Sequence, residues 1–326
     1  MEKIINIGVL GVANIAKRSV MPTINELPEN FNLIGIASRT KEKSEETSIL
    51  FKTKAYKGYQ SLLDDTGLKA VYIPLPNGLH AEWIEKALKA NLHILVEKSM
   101  ACEYNDVVRL NEIAKQKQLV LVENFQFRFH KQLQYIINMV SQGLIGELRC
   151  LRSSFGFPGL SDENDIRYKK ELGGGALLDT GAYPLKIAQI FLGQEIEVKA
   201  ATLSSIKGKE VNIFGGAYVK QKNGALFGQL AFGFNHHYQC NIELWGSKGK
   251  IYTNRIFTAN NNYEPIIELE TQKGMRKIIL PADHHFKNML LHFYKLIISK
   301  NGIDDEYKQN INQARLINEL KIKANE

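Results

Sequence analysis

The stretch Ile5-Asn6-Ile7-Gly8-Val9-Leu10-Gly11-Val12-Ala13-Asn14 constrains this chain more than any other. An apolar run that ends in a glycine-spaced turn and opens a helix points backbone N–H groups and a helix N-terminus at one spot. A pyrophosphate can sit there. The full dinucleotide fingerprint is G-x-G-x-x-G/A, whereas here Gly8 and Gly11 lie three apart and Ala13 follows as the small residue. On this reading Gly8 allows the tight turn, Gly11 the close backbone approach and Ala13 the close packing of helix on strand. Glycines after a strand also make ordinary turns, so the motif needs support from the residues that follow.

That support comes from the alternation of residues 1–123. Short apolar runs at Ile4–Leu10, Asn32–Ala37, Ala70–Ile73, His93–Val96 and Leu119–Glu123 lack clear period-two alternation, as expected of strands buried on both faces. Helical stretches such as Ala81–Ala90 and Tyr104–Lys117 separate them. A βαβ series implies a parallel, doubly wound sheet with right-handed crossovers. The texture then changes. Lys131–Ser141 reads as a helix, 147–157 as a strand and Gly159–Lys170 as a polar loop. Gly173-Gly174-Gly175 leads into an apolar helix at Ala176–Leu192. Strand-like stretches follow at 195–206, 211–220, 225–234, 238–246 and 249–253, and helices near 284–299 and 306–323 close the chain. The expected organisation is a dinucleotide-binding domain at 1–123 and an α+β domain at 124–326 with a large, mostly antiparallel open sheet, serving substrate binding and oligomerisation.

Composition narrows the function. The 326 residues suffice for two cores. No run of about 18 apolar residues occurs, so no membrane span is expected. The start of the chain lacks the apolar region and cleavage site of a signal peptide, which points to the cytoplasm. Cys102, Cys150 and Cys240 are scattered and form no metal-ligand pattern, so no metal is expected. The net charge of +8 is spread along the chain without a basic arm or aromatic-basic stripe. Nucleic acid is therefore not expected, and an anionic small molecule is the better match.

Three further segments carry chemistry. The second apolar run ends Gly35-Ile36-Ala37-Ser38-Arg39. NAD-selective sites place an acid near this point for the ribose hydroxyls. A hydroxyl and a guanidinium instead suit a 2′-phosphate, which favours NADP(H), with NAD(H) as the alternative. Pro74-Leu75-Pro76-Asn77-Gly78-Leu79-His80 forms a stiff turn at a strand's carboxyl end; Asn77 can cap the next helix, and His80 can be purely structural. Leu95-Val96-Glu97-Lys98-Ser99 places an acid–base pair straight after a buried strand, where Lys98 can reach an oxygen on a reacting carbon. Asp179 and Tyr183 are four apart, on one face of a helix. A buried Asp179 needs a partner, for which Lys98 is a candidate. An ammonium near Tyr183 favours the phenolate and makes the pair a proton donor. By spacing alone, a structural Asp and a core Tyr are the favoured reading.

Taken in order, Gly8-x-x-Gly11-x-Ala13, Ala37-Ser38-Arg39, Pro74-x-Pro76-Asn77-x-x-His80, Glu97-Lys98 and Asp179-x-Gly181-x-Tyr183 resemble the Gfo/Idh/MocA oxidoreductases over essentially the whole chain. The resemblance implies a Rossmann domain followed by the α+β domain. It implies cofactor contacts from Gly8, Gly11, Ala13, Asn14, Ile15, Ser38 and Arg39. The next turn, Leu75, Pro76, Asn77 and His80, and the segment Glu97, Lys98, Asn124 and Phe125 complete that set. It gives Lys98 the contact with the substrate oxygen, Tyr183 the acid–base role and Asp179 a substrate hydroxyl, with Arg128 and Arg167 as further substrate contacts. The family's Glu-Lys-Pro motif reads Glu97-Lys98-Ser99 here. Because a non-proline cis bond costs about 3–4 kcal/mol, a trans Lys98–Ser99 bond is expected, or else a strained one kept for the site.

Within the family, Asn14-Ile15-Ala16, Glu171–Asp179 and Leu280-Pro281-Ala282-Asp283 look closest to ketoreductases of nucleotide-linked deoxysugars. The expected activity is NADP(H)-dependent hydride transfer to a sugar ring carbonyl. Rival readings are oxidation of a free sugar, polyol or dihydrodiol, NAD-dependent glycoside hydrolysis, and non-catalytic cofactor binding. A homodimer or homotetramer through the C-terminal sheet is what the family implies.

Overall fold

The computed structural model describes residues 4–325, which divide into two compact units. The first comprises residues up to Asn124 together with Phe286–Ile311, and the second Phe125–His285 with the chain from Asn312 onward.

In the first unit β1 (Ile5–Leu10) runs into a helical stretch whose last turn is α1 (Met21–Asn25). There follow β2 (Phe31–Ser38), α2 (Lys41–Phe51), β3 (Lys54–Lys57), α3 (Tyr59–Leu63), β4 (Ala70–Ile73), α4 (Asn77–Lys89), β5 (His93–Glu97), α5 (Tyr104–Gln116) and β6 (Leu121–Asn124). Among the described residues these strands make a six-stranded sheet in the order β3-β2-β1-β4-β5-β6, parallel throughout. The strand order reverses between β1 and β4, the switch point where doubly wound sheets bind ligands beyond their carboxyl ends. Ile7, Val9, Val71, Ile73, Ile94 and Val96 are fully buried, which explains their unbroken apolar runs. The sequence reading passes over β3. With Lys at both ends and only Tyr56 buried, it is a charged sheet edge and carries no apolar signature.

In the second unit α6 (Lys131–Ser141) and β7 (Leu148–Phe157) precede α7 (Ala182–Leu192). The strands β8 (Ile196–Ser204), β9 (Phe214–Gln221), β10 (Phe227–Phe234), β11 (Gln239–Gly246), β12 (Gly249–Asn254), β13 (Ile266–Thr271) and β14 (Gly274–Ile279) follow. Among the described residues they form an eight-stranded sheet, β14-β13-β12-β11-β7-β10-β9-β8, antiparallel except where β10 runs parallel to β7. β13 and β14 went unpredicted; β14 is the sheet edge and none of its residues is buried. The helix expected over 176–192 begins instead with a widened π turn at Leu177–Gly181.

The chain closes with α8 (His285–Ser299) and α9 (Ile303–Ala324). The segment from Phe286 to Ile311 lies with the first unit, a return that a division by chain order leaves out. Specific contacts hold it. Phe293 stacks on Phe31 at 6.5 Å, and the Tyr307 hydroxyl donates to the Leu119 carbonyl at 2.5 Å. Asn310 Nδ2 reaches both Asn111 Oδ1 and the Leu121 carbonyl at 2.9 Å. Among the described residues no helix is long and apolar enough to cross a membrane.

Candidate active site

In the first unit the expected cofactor residues gather at the carboxyl ends of the strands. Gly11, with φ of 116°, makes the turn after β1. Gly8 does not make it: it lies inside β1, where an added Cβ would come within 2.9 Å of the methyls of Leu62 and Leu68. Its missing side chain serves packing, not chain reversal. Beyond the turn, Ala13 is half-buried, and Asn14 and Ile15 are exposed at the helix start. Ser38 is buried at the end of β2 and Arg39 exposed beside it. Burial raises the pKa of the Tyr59 hydroxyl, and the neighbouring Arg39 guanidinium pulls it back. A positive-φ glycine turn, an exposed helix start, a hydroxyl and a guanidinium fit a dinucleotide with a phosphorylated ribose.

A second cluster surrounds Lys98. Glu97 Oε1 accepts from the Tyr72 hydroxyl and from Asn124 Nδ2, both at 2.7 Å. Burial raises the Glu97 pKa, opposed by those two donors and by Lys98. The Lys98–Ser99 bond is cis, so of the two alternatives for serine at this position the trans bond does not hold. The turn is fixed from both sides. Met100 N–H donates to Glu123 Oε1 at 2.8 Å, and the Ser99 carbonyl lies 2.8 Å from His80 Nδ1. His80 Nε2 lies 2.7 Å from the Leu75 carbonyl. The fully buried ring thus ties the Leu75-Pro76-Asn77 turn to the loop that carries Lys98. Burial takes the His80 pKa down to about 4, against the two carbonyls and with help from Lys98.

In the second unit Asp179, Arg167 and Tyr183 come together around the widened turn. Arg167 Nε donates to Asp179 Oδ2 at 2.8 Å and Nη1 to Asp165 Oδ1 at 3.2 Å. Burial works against the Arg167 charge, but Asp179 and Asp165 outweigh it and raise its pKa. Arg167 is therefore a partner of Asp179 that the sequence spacing did not suggest. Gly174 permits the pairing, since a Cβ there would lie 2.5 Å from the Arg167 carbonyl oxygen. Tyr183 is 7 % exposed and ringed by Phe125, Phe127, Phe155 and Phe257, with centroids 5.5, 5.8, 5.0 and 5.4 Å away. Arg128 sits on the short helical turn with Phe127, its guanidinium 5.1 Å from the Phe129 ring. Phe155 and Phe257 went unforeseen because apolar residues so far apart in sequence give no sign of meeting. Among the described residues no group of three or more His, Cys, Asp or Glu side chains could hold a metal.

Comparison with known proteins agrees with this arrangement. Residues 5–125 match the model of the oxidoreductase family with an NAD-binding Rossmann fold, and residues 133–252 match the GFO/IDH/MocA C-terminal domain. The chain belongs to the Gfo/Idh/MocA oxidoreductase family. It is 38 % identical over 305 residues to a dTDP-3,4-didehydro-2,6-dideoxy-alpha-D-glucose 3-reductase of Saccharopolyspora spinosa, covering 94 % of this chain and 91 % of the relative. A reductase of the same name from Actinomadura kijaniata is 35 % identical, covering 98 % of this chain and 96 % of the relative. Among solved family structures, the 3-ketoreductase KijD10 of Actinomadura kijaniata with NADP and TDP-benzene superposes with a TM-score of 0.94 at 34 % identity, covering 98 % of this chain and 97 % of that one. The family places this chain among NAD(P)-dependent oxidoreductases.

The His80 pKa has a consequence for stability. Its folded pKa lies below the ordinary value of 6.5, so between these values the unfolded chain binds the extra proton. Stability is therefore complete above about pH 6.5 and is lost as pH falls toward 4, by about 3 kcal/mol from this ring. Urea denaturation at pH 7.5 and pH 5 should show the loss, and a His80→Gln variant should show a shallower one.

Proposed function

We propose that this protein reduces the ring carbonyl of a dTDP-linked ketosugar with NADPH, at carbon 3 of a 3,4-didehydro-2,6-dideoxyglucose. The observation that carries the reading is the caged Tyr183 beside the Arg167–Asp179 pair, in a chain whose relatives act on, and are solved with, such ligands. Ser38 and Arg39 hold the 2′-phosphate, and the turn at Gly11 with the helix start at Asn14 and Ile15 holds the pyrophosphate. When bound, the cofactor supplies the hydride.

The protein's own residues handle the oxygen. Lys98 donates a hydrogen bond to the carbonyl oxygen and stabilises the negative charge that develops on it. Tyr183 gives that oxygen its proton. Asp179 accepts a hydrogen bond from a sugar hydroxyl, and Arg167 keeps its carboxylate ionised and oriented. Arg128 and Arg167 are the cationic groups offered to the anionic substrate. We assign the protein to the cytoplasm, a reading supported by Cys102, Cys150 and Cys240, all free thiols.

We also propose a homodimer or homotetramer through the eight-stranded sheet. Tyr218, Trp245 and Ile266 are about 40 % exposed, at 37, 42 and 41 %. Each adjoins a fully buried residue, Val219, Leu244 or Ile267, so strand alternation turns it to the face away from α7. An exposed apolar face of this kind marks an association surface.

Three outcomes test these assignments. Tyr183→Phe should lower kcat by about 10²–10⁴-fold with little change in KM in NADPH-coupled reduction of the dTDP-ketosugar; full turnover would remove Tyr183 from the chemistry. Arg39→Ala should raise KM for NADPH by about ten- to hundredfold and leave NADH nearly unchanged. In sedimentation velocity the wild type should run as an oligomer and Trp245→Asp with Ile266→Lys as a monomer; a monomeric wild type defeats the assembly.

A further inference from the structure

Asn212 lies on the connection between β8 and β9. Its Oδ1 accepts from the Leu177 N–H at 2.8 Å, and its backbone carbonyl accepts from the Ala176 N–H at 2.8 Å. These amides open the widened turn, Leu177–Gly181, that carries Asp179. The opening amides of a helical turn have no partner within it, and a side chain just before them commonly supplies one. Here the residues just before them are Gly173, Gly174 and Gly175, which have no side chain to give. Ala176 and Leu177 are buried, so an unmet N–H at either would be costly. Asn212 meets both.

A cap from the local chain would disturb the loop that brings Arg167 to Asp179. Gly174 N–H donates to the Lys169 carbonyl and Gly175 N–H to the Arg167 carbonyl, both at 2.9 Å. A Cβ on Gly174 would lie 2.5 Å from the Arg167 carbonyl oxygen. One on Gly175, whose φ is 108°, would lie 3.1 Å from Asn212 Nδ2. The cap therefore comes from a distant part of the chain, and the same connection also grips the loop. Lys209 Nζ stands 4.2 Å from the centroid of the Tyr168 ring, next in sequence to Arg167, and 3.8 Å from Glu163 Oε2. The connection is closed by the Ile213 N–H, which donates to the Ser204 carbonyl at 2.7 Å, and is seated by the buried Val211 and Ile213.

We propose that Asn212 is a positioning residue for substrate binding: from the β8–β9 connection it caps the turn that carries Asp179 and so fixes the carboxylate that Arg167 orients. Lys209, three residues earlier, holds the Arg167 side of the same pair. The inference rests on the reading of Asp179 as the acceptor for a sugar hydroxyl. Arg167 Nε reaches Asp179 Oδ2 at 2.8 Å, a separation that tolerates little drift of either backbone. With one connection holding both backbones, the pair keeps that separation before the substrate arrives, and binding does not have to order it.

Asn212→Ala, Asn212→Asp and Lys209→Met test the proposal. Amide hydrogen exchange of the free protein reads the cap without any turnover. In Asn212→Ala the segment 177–181 should exchange about tenfold faster, and Asn212→Asp, which keeps an acceptor oxygen, should restore it. KM for the dTDP-ketosugar should rise about five- to twentyfold in Asn212→Ala with kcat within about twofold, the split that follows when binding common to ground and transition states is lost. Asn212→Asp should bring KM back. Lys209→Met should raise KM about two- to fivefold and speed exchange in 160–169 rather than in 177–181. In an Asp179→Ala background, Asn212→Ala should raise KM no further, because it acts through that carboxylate. Unchanged exchange at 177–181 overturns the proposal, as does faster exchange there with KM unmoved, or a full further rise of KM in the Asp179→Ala background. Faster exchange throughout the second unit, uncorrected by Asn212→Asp, would mean a general loss of packing and overturns it too. If Asp179→Ala alone leaves KM unchanged, the reading of Asp179 fails instead, while the exchange still decides whether Asn212 caps the turn.

Discussion

The aromatic packing around Tyr183 is the interaction on which the second unit turns. The four rings come from separate parts of the chain: Phe125 and Phe127 from the segment after β6, Phe155 from β7 and Phe257 from the loop after β12. Ring pairs at about 5–6 Å with edge-to-face geometry contribute beyond the area they bury. Their direction also matters, because a phenol gripped from several sides has one place to put its hydroxyl. The register of the sheet becomes a functional quantity. Phe155 faces the cage only because β7 pairs with β10 and β11 in the observed alignment, and a one-residue slip would turn it to the opposite face. Gly181 completes the fit, since a Cβ there would come within 3.0 Å of the Phe232 ring.

A cage of rings offers nothing to an anionic ligand by itself, and charged groups stand beside it, paired where they are buried. Asp179 is 19 % exposed, where an unpaired carboxylate would be costly. Arg167 answers it, and Asp165 in turn holds Arg167 by its backbone N–H at 2.9 Å and by its guanidinium. The arrangement depends on Gly174, over which the Arg167 carbonyl passes. The three consecutive glycines therefore do more than start a helix. They let a polar loop lie against the turn so that a cation reaches the carboxylate.

The βαβ series of the first unit was legible because strands buried on both faces must be apolar throughout, and the runs from Ile5 to Glu123 say so directly. Lys131–Ser141 was read to the residue, since its apolar positions recur at helical spacing. Legibility failed at the edge strands β3 and β14, because the largely exposed residues there carry no one-sided pattern. Of the candidate residues, Lys98, Asp179 and Tyr183 came from local order along the chain and from family resemblance. Arg167 as the partner of Asp179 and the contributions of Phe155 and Phe257 did not. Each depends on contacts between residues far apart in sequence, which no spacing rule encodes. Gly8 was misjudged for a related reason: a glycine in a strand and a glycine in a turn look alike until the neighbours, here Leu62 and Leu68, are known.

His80 shows how one buried residue couples two segments of the first unit. Its ring nitrogens face the carbonyls of Leu75 and Ser99, so it spans the turn after β4 and the loop after β5. A neutral imidazole has one N–H, which donates to one of these carbonyls while the other nitrogen faces the second. The contact is thus not fully satisfied in the neutral ring, yet burial and the Lys98 charge keep the ring neutral. The two loops are consequently held by packing as much as by hydrogen bonding, with no solvent around the ring to loosen them. Substitutions at Leu75 or Pro76 aimed at cofactor affinity would therefore be transmitted to Lys98. In this unit the turn expected to cradle the cofactor and the lysine expected to meet the substrate oxygen are mechanically one piece.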